Sequence, residues 1–268
     1  MIKIFTMVKD ESDIVEDWII YHASIFGYDN IYVIDNYSTD GTYEILQKFV
    51  PGINLYREHD YKKKGEFMTN LIHTHAKNMI AFPIDIDEFI VYFDNNTLSV
   101  EKNLIKSYIN NLPKARIYKA NYIQSIITKE AGYQRATTDA DEGYYTSIFG
   151  NMSKSFVNTN YYKGAFDHGN HIPCNDFHLT KICLIHFHHR NLEQMKKKIL
   201  NNVLGFEYKN DLGYLKDLLN NNKDCCGNHH VRSQIEVLEN KYNLPVHNSS
   251  PNHININIFN QRIKDGPF

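Results

Sequence analysis

The first ninety residues alternate short β-rich runs with stretches of helical period, and this alternation limits the fold more than any other feature of the chain. Residues 3–8 read as a strand. Ile14, Trp18, Tyr21, His22 and Ile25 then recur at i+3 or i+4, with Ser12 or Asp13 as N-cap and Gly27 as the stop. Residues 31–35 are a second strand, and 36–41 turn into a helix over 42–49, closed by Pro51-Gly52. A strand over 54–58, a helix over 65–79 and a strand over 81–90 complete the pattern. The order β-α-β-α-β-α-β predicts an α/β fold with a mostly parallel sheet and helices on both faces. Ligands of such sheets sit at the carboxyl ends of the strands. Polar residues gather there: Lys9, Asp10 and Glu11 after Val8, then residues 35–40, then 85–88.

Beyond residue 93 the pattern weakens. A helix is predicted over 98–111, a strand over 116–127, a polar loop over 128–151 and an apolar strand over 181–188 that ends in histidines. Helices follow over 192–201, 212–221 and 232–241, before an Asn-rich tail after Pro245. This divides the chain into a main domain over 1–200 and a helical region with its tail over 201–268.

Composition removes several classes of function. Lys plus Arg total 29 against 31 Asp plus Glu, a net charge of −2, so nothing attracts a phosphate backbone in bulk and a general nucleic-acid binder is not expected. No apolar run approaches the ~20 residues of a membrane span. The N-terminus reads as a strand rather than a secretory signal, so a cytoplasmic protein is expected. The four cysteines include the adjacent Cys225 and Cys226 and show no CxxC spacing, which favours reduced packing thiols.

Two acidic motifs carry the functional signal. Asp85-Ile86-Asp87-Glu88-Phe89 puts Asp85 and Asp87 on one face of a strand end, where the two charges repel unless a cation or donors compensate. A hard divalent cation suits such oxygen ligands and keeps positions open for a diphosphate. Alone, a DxD is more often a solvated strand end. In Asp35-Asn-Tyr-Ser-Thr-Asp-Gly-Thr42, Asp35 can accept from a base or ribose, while Ser38 and Thr39 can cap the next helix. No GxGxxG follows the first strand and no GxxxxGK[ST] occurs.

Together with Met7-Val-Lys-Asp-Glu11, Trp18-Ile-Ile-Tyr-His22 and Gly27-Tyr-Asp-Asn-Ile31, these motifs stand in the order and spacing of GT-A glycosyltransferases. The chain resembles the family 2-like and family 92-like group over residues 3–93, and more weakly at Lys154 and over 186–196. Asp10 stands where Asn is usual, and Asn36 where many relatives carry Asp. The resemblance implies a Rossmann-like GT-A domain, a nucleotide-sugar donor, a Mn²⁺ or Mg²⁺ ion and a glycan or glycoconjugate hydroxyl as acceptor. It places Val8, Lys9, Glu11, Asp35, Asn36, Ser38 and Asp85 at the nucleotide and Asp85 and Asp87 at the metal. A metal there neutralises the departing diphosphate.

Histidines crowd into residues 166–190. Strand alternation puts His186 and His188 on one face, which makes His186 the first candidate for a further metal ligand and His168 the second. No HExxH or other zinc spacing supports a hydrolase. An inverting transferase needs a carboxylate base. Asp167 and Asp176 are the candidates before the histidine strand, and Asp139, Asp141 and Glu142 those of the polar loop. A nucleotidyltransferase and a non-catalytic nucleotide- or carbohydrate-binding module remain as alternatives.

Overall fold

The computed structural model describes residues 1–95, 97–125, 142–146, 153–188, 190, 192–243 and 253–255. Its first half runs β1 (Ile2–Val8), α1 (Val15–Phe26), β2 (Ile31–Asp35), α2 (Thr42–Gln47), β3 (Asn54–Arg57), α3 (Lys64–His75) and β4 (Ile80–Pro83). These four strands lie side by side in the order β3-β2-β1-β4, all parallel. The anticipated α/β sheet is present.

Alternation along β1 and β2 supplies both faces. Ile4, Val8, Ile31 and Val33 pack with Trp18 and Ile19 of α1 and Leu46 of α2, whereas Phe5, Met7, Tyr32 and Ile34 pack with Met68 and Ile72 of α3. Gly27 ends α1 at φ +91°, where a side chain would be strained, and its N–H donates to the Ala23 carbonyl at 2.8 Å. Neither Ser12 nor Asp13 caps α1; Ile14 holds the N-cap position, and the Asp13 carboxylate is drawn instead to Arg190 at 3.1 Å.

The sheet continues beyond β4 in mixed pairing. β5 (Glu88–Asp94) and β6 (Thr97–Ser99) precede α4 (Lys102–Asn110), and β7 (Ile117–Ser125), β8 (Glu142–Thr146), β9 (Lys154–Asn158) and β10 (His178–His186) follow. The order is β4-β9-β7-β10-β5-β6, with β7 and β10 parallel and β9 and β5 antiparallel to their neighbours. A short β11 (His253–Asn255) pairs β8. Two differences from the predicted elements matter. The strand expected over 81–90 is two strands, β4 and β5, separated by a turn. A strand at β9, short and polar at its start, replaces part of the unassigned region. Of the loop expected over 128–151 and the tail after Pro245, only β8 and β11 fall within the described residues.

Helices α5 (Leu192–Gly205), α6 (Leu212–Asn221) and α7 (Asn228–Leu238) build a small core of Val203, Leu215, Cys225 and Val231. A division after residue 200 would cut α5, which runs unbroken through it.

His22 locks α1 to β5. It is fully buried, its Nε2 accepts from Ile90 N–H at 3.3 Å, and its Nδ1 therefore donates to the Trp18 carbonyl at 2.9 Å. Burial holds its pKa down to about 3, because a second ring proton would face the Ile90 N–H. With the folded value below the ~6.5 of an unfolded histidine, stability is complete above that pH and falls as pH drops towards the folded value, by ~1.4 kcal/mol per pH unit. We expect His22→Gln to flatten urea-measured stability between pH 6.5 and 5 by about that slope. The other buried groups that titrate in this range, among them Glu11, Asp13, His168 and His230, contribute alike in variant and wild type, so the difference between the two isolates His22. An unchanged slope would mean that the folded protein accepts the proton.

Candidate active site

The turn between β4 and β5 separates the two aspartates of the DxD. Pro83 is the last residue of β4, and the Ile84 N–H donates to the Phe5 carbonyl at 3.0 Å. The Asp85 N–H is then taken by the Glu88 carboxylate at 2.8 Å, and the Glu88 N–H by the Asp85 carbonyl at 3.1 Å. A strand would point Asp85 and Asp87 the same way; this turn gives each its own partners. Asp85 accepts from Lys64 and Lys154 at 2.8 Å each and from Asn170 at 3.2 Å. Burial pushes its carboxyl up, and the two ammonium groups more than reverse this, holding it far below the usual carboxylate range. Glu88 completes the group, 3.1 Å from Lys154 and accepting from the Tyr122 hydroxyl at 3.1 Å.

Asp87 faces the end of β10. The Phe187 N–H donates to the Asp87 carbonyl at 2.9 Å while the Phe187 ring is buried edge-on to Phe89. This bond and the pairing of His186 with Glu88 present the residues on either side of Phe187 to the Asp87 carboxylate. His186 Nε2 lies 3.5 Å from Asp87 Oδ2, and the His186 and His188 rings are 5.0 Å apart. Ligand atoms of Asp87, His186 and His188 all lie within 4.8 Å of one another. Lys198 of α5 also reaches Asp87 Oδ2, at 2.5 Å. Against the upward push of burial, Lys198 and the histidines hold the Asp87 carboxyl well below its ordinary value.

A cavity of about 590 Å³ opens between these groups, lined by Val8, Lys9, Glu11, Lys64, Asp85, Asp87, Lys154, His168, His171, His186, His188, Lys198 and residues of α7, among others. A second cleft of about 410 Å³ adjoins it at Lys9, lined by Asn36, Tyr37, His59, Tyr61, Asn201 and Leu204 among others. Tyr37, at φ +53°, stacks on His59 with ring centroids 3.3 Å apart, and the Arg57 guanidinium lies 4.2 Å from the Tyr37 ring. A non-glycine residue held in the left-handed region is strained, and such strain gathers at functional surfaces.

Much of the Asp35–Thr42 motif serves the loops themselves. The Asp10 N–H donates to Ser38 Oγ at 2.9 Å, the Thr39 N–H to Asp10 Oδ1 at 2.6 Å, and the Glu11 N–H to Thr42 Oγ1 at 2.9 Å. Asp40 rather than Ser38 or Thr39 takes the Thr42 N–H at the start of α2. Asp35 is fully buried, accepting from the Ser38 N–H and ion-paired with Arg57 at 2.9 Å. Asn36 donates to the carbonyls of Glu58 and His59, and Lys9 to those of Asn36 and Tyr37. Glu11 is ion-paired with the buried Arg190, whose other arm holds Asp13. Burial pushes the Glu11 carboxyl up against that guanidinium's pull.

The structure thus brings together Val8, Lys9, Glu11, Asp85, Asp87, His168 and His186, while Asn36 lines the adjoining cleft. It does not bring Asp35, Ser38, Asp167 or Asp176 to either surface. The Asp167 carboxylate takes the His171 N–H at 2.6 Å, closing a turn, and both Asp167 and Asp176 are exposed. Asp139 and Asp141 lie outside the described residues, and nothing is described of the Glu142 side chain. His168 shares the cavity without joining the Asp87 cluster. It packs edge-on to Tyr61, and burial lowers its pKa to about 4.

Lys64 and Lys198 were weakly marked in the sequence, whereas alternation had already set His188 beside His186. Each lysine sits in a run of three, which reads as a solvated patch. For Lys198 a signal exists: Met195, Ile199 and Asn202 share its inward face at helical spacing.

No protein-family model matches this chain, nor does any curated protein sequence. Solved structures are similar at low identity. Residues 1–349 of TarS from S. aureus in complex with UDP share 11% identity, over 90% of this chain and 71% of that one, with a TM-score of 0.41. Glucosyl-3-phosphoglycerate synthase from Mycobacterium tuberculosis in complex with Mg²⁺ and UDP shares 16% over 46% of this chain and 43% of its own, at 0.33. The same synthase in complex with Mn²⁺ and UDP-glucose shares 17%, again over 46% and 43%, at 0.32. Scores this low transfer neither a ligand nor a residue role to this chain.

Proposed function

We propose that this chain is a glycosyltransferase that moves a sugar from a nucleoside-diphosphate donor to a hydroxyl acceptor with the help of a divalent metal ion. One observation carries the reading. At the carboxyl ends of β1 and β4, a carboxylate and two imidazoles converge in a lysine-lined cavity beside a cleft that displays an aromatic ring. Asp87, His186 and His188 would hold the ion. A mixed oxygen and nitrogen donor set suits Mn²⁺ better than Mg²⁺, which prefers oxygen and water. When bound, the ion offsets the charge that gathers on the departing diphosphate.

The chain's own groups do the remaining positioning. Lys64 and Lys154 are fixed by Asp85 on the wall, so Asp85 serves as their anchor, and Lys9 stands where the two cavities meet. Tyr37 and His59 offer a flat surface for the nucleotide base.

Charge balance predicts how the ligands enter. The carboxylates on the cavity wall, Glu11, Asp85, Asp87 and Glu88, are matched by Lys9, Lys64, Lys154 and Lys198. A divalent cation or a diphosphate alone unbalances this buried charge by about two or three units, and the two together by about one. Mn²⁺ and a nucleoside diphosphate are therefore expected to raise the melting temperature jointly by more than the sum of their separate effects. Saturation near 100 Kd corresponds to ~2.7 kcal/mol. A panel of nucleoside diphosphates with no effect in either condition would sink the proposal. Slow hydrolysis of the matching nucleotide-sugar separates an enzyme from a binding module, and pyrophosphate release from a nucleoside triphosphate would instead indicate a nucleotidyltransferase.

A further inference from the structure

Among the described residues, Lys198 is the one lysine on the cavity wall that comes from the helical region after β10 rather than from the sheet domain or its loops. Its Nζ and the His186 Nε2 address the same oxygen, Asp87 Oδ2, at 2.5 and 3.5 Å. Its side chain is 19% exposed, against 3% for Lys154, so it has room to move that Lys154 lacks. Lys154 is also tied down by Asp85, Glu88 and the Gly169 carbonyl, whereas the ion pair and hydrogen bond described for Lys198 both end on Asp87. Neighbouring Lys197 is committed elsewhere, to Asp40 at 2.8 Å.

An ammonium group and a divalent ion set against one carboxylate oxygen repel each other strongly in a cavity where charges are poorly screened, so the presence of one weakens the hold of the other. Resting on the reading of Asp87, His186 and His188 as a metal site, we infer that Lys198 competes with the metal ion for Asp87 and, once displaced, pairs with the diphosphate. The same side chain thus opposes metal binding in the absence of the donor and favours it in its presence. This ties α5, and the small helical core behind it, to the loading of the site. A flexible single-point cation suits the exchange, since its three donors reach any oxygen within range without a fixed fork geometry.

The test uses the full chain, wild type, Lys198→Met and Lys198→Arg, with Mn²⁺ as one probe and inorganic pyrophosphate as the other. Free Mn²⁺ is read by electron paramagnetic resonance, and pyrophosphate binding to the Mn²⁺-loaded protein by calorimetry. Lys198→Met is expected to bind Mn²⁺ alone about tenfold more tightly than wild type and, once loaded, pyrophosphate about tenfold more weakly. Lys198→Arg keeps the charge and should lie near wild type in the Mn²⁺ arm. Opposite changes for two ligands cannot come from general loosening of the fold. Mn²⁺ binding by wild type that is equal or weaker in Lys198→Met would overturn the inference and leave the metal site standing. No Mn²⁺ binding by any of the three, with or without pyrophosphate, would overturn both.

Discussion

Asp87→Asn is expected to lower the rate of sugar transfer, or of donor hydrolysis without acceptor, by about 10²–10³-fold. The substitution keeps the size of the side chain and the backbone bond from the Phe187 N–H to the Asp87 carbonyl, so β10 stays docked. It removes the one carboxylate in the cluster with His186 and His188. The fold should survive, because Lys198, left without its anion, is partly exposed and can turn to solvent. Two readings decide the matter: turnover, and the joint stabilisation by Mn²⁺ with a nucleoside diphosphate. Loss of both with a melting temperature within a few degrees of wild type is the expected result. Full turnover in the variant would remove Asp87 from the site.

Asp85→Asn should behave in the opposite manner, costing ~3–5 kcal/mol of stability. Lys64 and Lys154 have side chains only 9% and 3% exposed, and Asp85 is the ion-pair partner of Lys64. Neutralising Asp85 leaves Lys64 as an uncompensated buried charge, while Lys154 retains Glu88. Chemical denaturation of Asp85→Asn, Lys64→Met and the double variant closes the test. If the pair is the cause, the double variant recovers much of the loss, a coupling within the ~0.5–3 kcal/mol found for contacting residues. A loss below ~1 kcal/mol accompanied by failure to bind Mn²⁺ would instead make Asp85 a metal ligand, as the DxD spacing suggested. The two aspartates, two residues apart, are thus expected to separate into a functional and an anchoring role.

That separation shows where legibility ended. Binary patterning alone revealed the parallel half of the sheet, because Ile4 and Val8 against Phe5 and Met7 must go to opposite faces whatever else the chain does. Gly27, Ile31–Asp35 and Leu212–Asn221 were equally plain, since turn chemistry and periodicity act over a few residues. The pairing of β5 with β10 and the insertion of β9 beside β4 were not, because strand neighbours are chosen by contacts between distant segments.

For the site, the sequence determined which residues stand at the strand ends: Lys9, Glu11, Asp85, Asp87 and His186 all lie on the cavity. Tertiary structure decided what each carboxylate meets. Asp35 could offer its oxygens to a ligand in principle, but burial beside Arg57 and the Ser38 N–H uses them. Asp85 and Asp87 look equivalent in a DxD, and a turn with lysines arriving from α3, β9 and α5 makes them different. The physical reason is one of range. Propensity and alternation are set by neighbours along the chain, whereas the charge state and use of a buried carboxylate are set by whichever cation the fold brings within about 3 Å.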